Sequence, residues 1–202
     1  MHWSQRTALV LTLALALAGV GFLTGALAHP AAHVALPNGS GAANAVLAQE
    51  FVVGAPVERN GLEIAANYLL GIQLDLDSLM PMPMGMPDAI HLEADVHAAS
   101  GNQHGFDAGD WIPYLGISYH VVKVGSDWST TGTFLPMVAK DGPHYAANTR
   151  LNGPGQYRVT YHLEPPITQG FFRHVDAATG VAPWWEPFEV SWSFTYPSTP
   201  KE

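Results

Sequence analysis

The chain has 202 residues, no cysteine, and 17 acidic against 8 basic residues, which gives a formal net charge of -9 at pH 7. This acidity argues against nucleic acid as a partner, because the phosphate backbone selects basic surfaces. The absence of cysteine excludes disulfides and thiolate metal ligands, so any metal chemistry depends on His, Met, Asp or Glu.

The first 28 residues have the features of a secretory signal peptide. Arg6 is followed by an apolar run over residues 8–28, which ends in the small-x-small motif Ala-Leu-Ala. The run is also long enough to be an uncleaved membrane anchor, but its three glycines and this ending favour cleavage. We therefore expect an exported protein whose signal peptide covers residues 1–28.

The exported part divides into a leader and one domain. Residues 29–49 are rich in Ala, Gly, Asn and Pro without a sustained period, which predicts a flexible leader. Residues 50–202 then form a single domain of a size that buries a substantial core. Cleavage would expose His29 as an amino-terminal copper ligand, but the leader would hold this residue far from the domain.

Short segments of alternating apolar and polar residues fill the domain, and no long stretch has a helical period. Such alternation is typical of strands with one buried face. About seven short strands at this spacing predict an all-β fold, an antiparallel β-sandwich that is immunoglobulin-like in its general plan. The clearest strands are expected over residues 63–73, 90–97, 112–124, 129–139, 157–164 and 188–196.

Four methionines precede the strand at residues 90–97. They alternate with Pro and Gly, so in an extended chain they lie on one side. They are either an accessory Cu(I) site or an apolar loop that packs on the domain or on a partner, and we do not expect them to be primary ligands. These residues are Met80, Met82, Met84 and Met86.

The strand at residues 90–97 carries two metal-ligand side chains on its polar face. His91 and Glu93 are two residues apart and point the same way, with Cβ atoms roughly 6 to 7 Å apart. This spacing lets an imidazole and a carboxylate bind one ion. A pair of this kind is more often simply solvated, and one strand cannot also bring Asp95 and His97 to the same ion.

Further candidate ligands follow later in the chain. A Lys-Asp-Gly-Pro turn at residues 140–143 separates Met137 from His144 and can fold the two side chains together. The alternative is that Met137 belongs to the core and His144 to a loop. His174 lies in a long connection before two tryptophans and indicates nothing by itself.

Five ordered motifs stand out along the domain: His-Leu-Glu-Ala-Asp from residue 91, Trp-Ile-Pro-Tyr-Leu from 111, Phe-Leu-Pro-Met from 134 with Asp-Gly-Pro-His-Tyr from 141, Tyr-Arg-Val-Thr-Tyr-His-Leu-Glu-Pro-Pro from 157, and Trp-Trp-Glu-Pro-Phe from 184. Together they resemble the FetP-like periplasmic iron-transport proteins, which are encoded beside FTR-type iron permeases. Five motifs in the right order are far more specific than any single one. Leu135 stands where many members have methionine, a difference that removes no ligand.

The resemblance implies an immunoglobulin-like homodimer with a metal site on each protomer and a function in iron uptake. Its ligands, carried over by position, are His91, Glu93, Met137, His144 and His174, the last bound within its own chain or across the dimer interface. These donors suit copper and Fe(II), with manganese as a further candidate ion. The implied partner is an inner-membrane permease of the FTR type.

Three functions are compatible with these features. The first is a non-enzymatic periplasmic protein that binds Fe(II), copper or both and passes iron to the permease. The second is a copper-dependent redox enzyme, ferroxidase- or reductase-like, which needs turnover and an open coordination position. The third is a structural sandwich with incidental histidines. We expect the first, because five ligand-type residues coincide with the ordered motifs.

Overall fold

A computed structural model describes residues 49–75 and 84–197. The expected signal peptide, almost all of the expected leader, and Met80 and Met82 lie outside these ranges. Within them, ten strands and one short 3-10 helix form, and no helix is long and apolar enough to cross a bilayer. The strands are β1 (Gln49–Val52), β2 (Val57–Arg59), β3 (Leu62–Leu70), β4 (Ala89–Ala98), β5 (Gly116–Lys123), β6 (Ser129–Thr133), β7 (Leu135–Ala139), β8 (Gly142–Arg150), β9 (Gly155–Glu164) and β10 (Phe188–Tyr196), and the 3-10 helix is Pro166–Gln169.

The strands form two antiparallel sheets. Sheet A has the order β1-β3-β4-β8-β7, with β2 also paired to β3, and sheet B has the order β10-β9-β5-β6. Apolar side chains from both sheets join in one hydrophobic core. The alternating pattern is the main cause, because a strand with this pattern buries one face against the other sheet. The prediction of an all-β antiparallel sandwich is confirmed.

The core between the sheets is rich in aromatic rings. Tyr68 of sheet A and Phe194 of sheet B have ring centroids 5.8 Å apart. Tyr161 of β9 is fully buried, and its hydroxyl donates a hydrogen bond of 2.8 Å to the carbonyl oxygen of Glu93 on β4. A buried tyrosine hydroxyl needs such a partner. This bond ties the centre of β4 to sheet B at the residue that also carries the candidate ligand.

The segment expected as one strand over residues 129–139 forms two strands in different sheets. β6 pairs with β5 in sheet B, whereas β7 pairs with β8 in sheet A. The change falls at Phe134, whose side chain is buried and whose N–H donates to the carbonyl oxygen of Ile117 at 2.9 Å. The single-strand prediction was wrong because period-two alternation does not show which sheet a strand joins.

The expected strands omit β8, as well as the short strands β1 and β2. Six consecutive residues of β8 are buried, so the strand shows no alternation between apolar and polar residues. Strands covered on both faces lose that pattern. Ala146, Ala147 and Asn148 also have low intrinsic strand propensity. This strand matters most for the site, because it lies between β4 and β7 and joins the two halves of the candidate ligand set.

Candidate metal centre

The register of sheet A places the candidate ligands of β4 and β8 on the same outer face. β4 pairs with β8 so that His91 lies opposite Asn148 and Glu93 lies opposite Ala146. Residues directly opposite each other in an antiparallel pair point to the same side, as do residues two apart on one strand. His144, two residues before Ala146, therefore shares the face with His91 and Glu93.

His91, Glu93 and His144 form a compact cluster. Glu93 Oε1 lies 3.6 Å from His91 Nε2 and 3.4 Å from His144 Nε2. One ligand atom from each of the three residues lies within 4.8 Å of the others. Two ligands at about 2.1 Å from a tetrahedral ion are themselves about 3.4 Å apart. Both distances from Glu93 are therefore close to the spacing that one bound ion requires.

The cluster is buried, unlike the solvated pair that is usual for His-x-Glu on a polar strand face. His91 and His144 are 1% and 7% exposed. Burial first, and then the negative charges of three nearby carboxylates, together raise the pKa of Glu93 to about 8. At neutral pH this carboxyl carries a proton that a cation can displace. The three carboxylates are those of Asp95, Glu50 and Asp141.

Asp95 extends the acidic character of the same face. Burial raises its pKa too, while nearby His144 and His97 and a hydrogen bond from Asn67 lower it. The Asn67 amide donates to Asp95 Oδ2 at 3.1 Å. Asp95 is thus held by the scaffold beside the cluster, and Glu93 remains the carboxylate that contacts both imidazoles.

Asn148 orients one of the imidazoles. Its Oδ1 lies 2.7 Å from His91 Nδ1, within the buried part of the face. An amide oxygen can only accept, so His91 carries its proton on Nδ1 and directs the lone pair of Nε2 towards Glu93. Asn148 was not among the predicted site residues. The signal for it is its position four residues after His144, which is informative only once β8 is known to be a strand.

The β7–β8 hairpin brings Met137 to the same region. Lys140 and Asp141 form its two-residue loop, and Met137 lies directly opposite His144 in the register. The Met137 side chain is partly buried. The hairpin therefore sets the thioether and the imidazole side by side on the outer face of sheet A.

His174 is separate from the cluster within one chain. It lies in the connection between the 3-10 helix and β10, and its side chain is 74% exposed. Its imidazole contacts Thr179 and Asp176. Two other histidines, His120 and His162, lie on the outer face of sheet B, on the far side of the core from the cluster.

These features define a class of protein: a β-sandwich with a buried His–Glu–His cluster whose donors suit a first-row transition metal ion. The family model described as "Fe2+ transport protein" matches residues 47–198. The chain belongs to this family, and its resemblance to FetP-like proteins is confirmed.

Three similar proteins illustrate the family. A UPF0423 protein of Brucella abortus (strain 2308) is 42% identical over 158 residues, which cover 77% of this chain and 86% of that protein. A copper-bound Glu-to-Gln variant of FetP from uropathogenic Escherichia coli strain F11 is 48% identical, with a TM-score of 0.70 over 75% of this chain and 99% of FetP. Another FetP structure comes from protein expressed recombinantly in the E. coli periplasm. Copper-reconstituted P19 of Campylobacter jejuni is 43% identical, with a TM-score of 0.70 over 75% of this chain and 99% of P19.

Three further copper-bound structures of P19 carry single substitutions of a glutamate, a methionine and an aspartate. In the P19 chain the methionine follows the glutamate by 44 residues, and the aspartate follows the methionine by 4. Glu93, Met137 and Asp141 have the same residue types at the same two separations.

Proposed function

We propose that this protein binds Fe(II), and also copper, in the periplasm and passes iron to an inner-membrane permease of the FTR type. The observation that carries the proposal is the buried convergence of His91, Glu93 and His144. Membership of the Fe2+ transport protein family supports iron as the cargo. The copper-bound structures of FetP and P19 support copper as a second ion for the same site.

The proposed ligands are His91, Glu93, Met137 and His144 of one protomer together with His174 of a second copy. The separations shared with the substituted P19 residues support Glu93 and Met137. Imidazoles suit copper and iron alike, the thioether favours Cu(I), and the carboxylate favours Fe(II), Mn(II) or Cu(II). A site with this mixture retains a metal ion when its oxidation state changes.

A homodimer is proposed because His174 is presented outwards from its own chain. Its neighbours Phe172 and Val175 are 79% and 76% exposed. Large apolar side chains flanking a candidate ligand are typical of a surface that a partner covers. A second copy seated on this loop would bury both side chains and bring His174 to the cluster of the other protomer.

A copper-dependent redox enzyme acting on iron is the second candidate function. The observation that favours it is the pairing of a soft donor, Met137, with a hard one, Glu93, at one site. An enzyme must turn over, so the copper-loaded protein would convert many equivalents of Fe(II) with matching consumption of its oxidant. Binding of iron in a fixed stoichiometry without turnover supports transport instead.

The proposal is tested by titrating the purified protein with Cu(II), Mn(II) and, anaerobically, Fe(II) at neutral pH. His144→Ala removes one member of the cluster, and His120→Ala is the matched control on the outer face of sheet B. Wild type and control should bind stoichiometrically, whereas His144→Ala should lose about tenfold or more in affinity. Equal binding by all three proteins would refute the site.

A further inference from the structure

Two hydrogen bonds determine which ring nitrogen of His174 carries the proton. Thr179 Oγ1 donates to Asp176 Oδ2 at 2.7 Å, and the same Oγ1 lies 2.7 Å from His174 Nδ1. A hydroxyl has one hydrogen, which the carboxylate already accepts. Thr179 Oγ1 can therefore only accept from the imidazole, and Nδ1 of His174 is the protonated nitrogen.

We propose that Thr179 and Asp176 are positioning residues that hold His174 in the tautomer whose Nε2 binds a metal ion in the second copy. The inference rests on the proposed function, because it assigns the two residues a role in the ligand that crosses the dimer. The side chain is 74% exposed, so the imidazole is accessible to a partner. Asn148 acts on His91 in the same way within the buried cluster.

The loop keeps this arrangement through its own hydrogen bonds. Asp176 Oδ1 accepts the backbone N–H groups of Ala178 and Thr179, each at 3.0 Å. The N–H of Val181 donates to the carbonyl oxygen of His174 at 3.2 Å, and Ala182 N–H donates to the carbonyl oxygen of Gln103 at 2.9 Å. The loop is thus closed and anchored within one chain, which lowers the ordering cost when the second copy binds.

Removing the Thr179 hydroxyl tests its positioning of His174 separately from the packing of the Thr179 side chain. Thr179→Val keeps the shape of the side chain but removes the hydroxyl that accepts from His174 Nδ1, and Asp176 Oδ2, at 3.9 Å from Nδ1, lies beyond hydrogen-bond distance. Thr179→Ser keeps the hydroxyl and should preserve the tautomer. Losing the partner that orients a metal-ligating histidine typically costs about 10- to 100-fold in metal affinity. We expect a loss of this size for Thr179→Val and little change for Thr179→Ser.

The test begins with the metal-free, full-length protein at pH 8.5, where ring-nitrogen NMR distinguishes the two neutral tautomers. His174→Gln identifies the signals of His174. Wild type and Thr179→Ser should show the proton on Nδ1, and Thr179→Val should lose this pattern. A proton on Nε2 in wild type, or an unchanged pattern in Thr179→Val, would overturn the inference.

Copper titration of the same variants then tests the consequence for binding. Thr179→Val should bind about 10- to 100-fold more weakly than wild type, with Thr179→Ser close to wild type. A shifted tautomer with unchanged copper affinity would overturn the positioning role. If His174→Gln itself binds copper like wild type, His174 is not a ligand, and that part of the proposed function fails together with the inference. The NMR result then still decides the tautomer.

Discussion

Glu93→Gln tests the electrostatics of the candidate metal centre most directly. The Glu93 side chain is 12% exposed, and burial followed by the charge of Asp95 raises its pKa from 4.5 to about 8. Glutamine has the shape of the protonated acid but does not ionise. The variant therefore removes the titration of this carboxyl and leaves the packing of the side chain nearly intact.

The sign of the effect follows from proton binding. Between pH 4.5 and about 8 the folded, metal-free protein holds a proton on Glu93 that the unfolded chain has released. The stabilisation from this proton is fully present below pH 4.5 and is lost as pH rises through 8. Each pKa unit corresponds to about 1.4 kcal/mol, so the free energy of unfolding falls by at most about 5 kcal/mol across this window.

The assay is urea unfolding of the metal-free protein at pH values from about 4.5 to 8.5, followed by tryptophan fluorescence. Relative to wild type, Glu93→Gln should gain stability steadily as the pH rises. Glu63→Gln, at an exposed position on the same face of sheet A, is the control and should follow wild type. Parallel pH profiles for wild type and Glu93→Gln would refute the reasoning, because the Glu93 carboxyl would then have the same pKa in the folded and the unfolded protein.

Two further predictions concern the ligand set and the fold. Met137→Leu should weaken Cu(I) binding by about tenfold or more, because only the soft ion gains much from a thioether. The affinities for Fe(II) and Mn(II) should change little. Equal losses of affinity for all three ions in competition titrations would count against Met137 as a ligand. Gly132→Ala should lower the free energy of unfolding by about 1 to 3 kcal/mol, because the new Cβ would lie 2.6 Å from Tyr119 Cζ and overpack the core. Gly85→Ala, with no atom within 4 Å of the added Cβ, should be neutral, and equal urea midpoints for both variants would contradict the packing argument.

Local sequence patterns were sufficient to predict features that lie within one strand or its adjacent turn. The alternation at residues 90–97 predicts β4, which the structure places at Ala89–Ala98, and the same period places His91 and Glu93 on one face. The turn at residues 140–143 likewise allowed the approach of His144 to Met137, which the β7–β8 register shows, although the strand β8 itself was not predicted. Both inferences depend on neighbours in the chain, which periodicity and turn chemistry describe well.

The pairing of strands that are distant in the sequence could not be predicted from local patterns. The strand at 129–139 divides between two sheets at Phe134, and β8 shows no alternation because both of its faces are covered. The burial of His91 could not be predicted for the same reason, because it also depends on strands that are distant in the sequence. A polar strand face in isolation is expected to be solvated, and the sequence of β4 does not show which side chains of the two strands paired with it surround His91.

The two contacts of Glu93 show which part of the site can be predicted from the sequence and which part cannot. His91 reaches Glu93 along one strand, from two residues away, so its approach can be read from the sequence. His144 reaches Glu93 diagonally across β4 and β8, because Ala146 is the residue directly opposite Glu93. Diagonal neighbours meet only through long side chains, and the small side chain of Ala146 leaves room for the meeting. The site therefore depends on the β4–β8 register, and a one-residue slip would turn His144 to the other face of the sheet and separate it from Glu93.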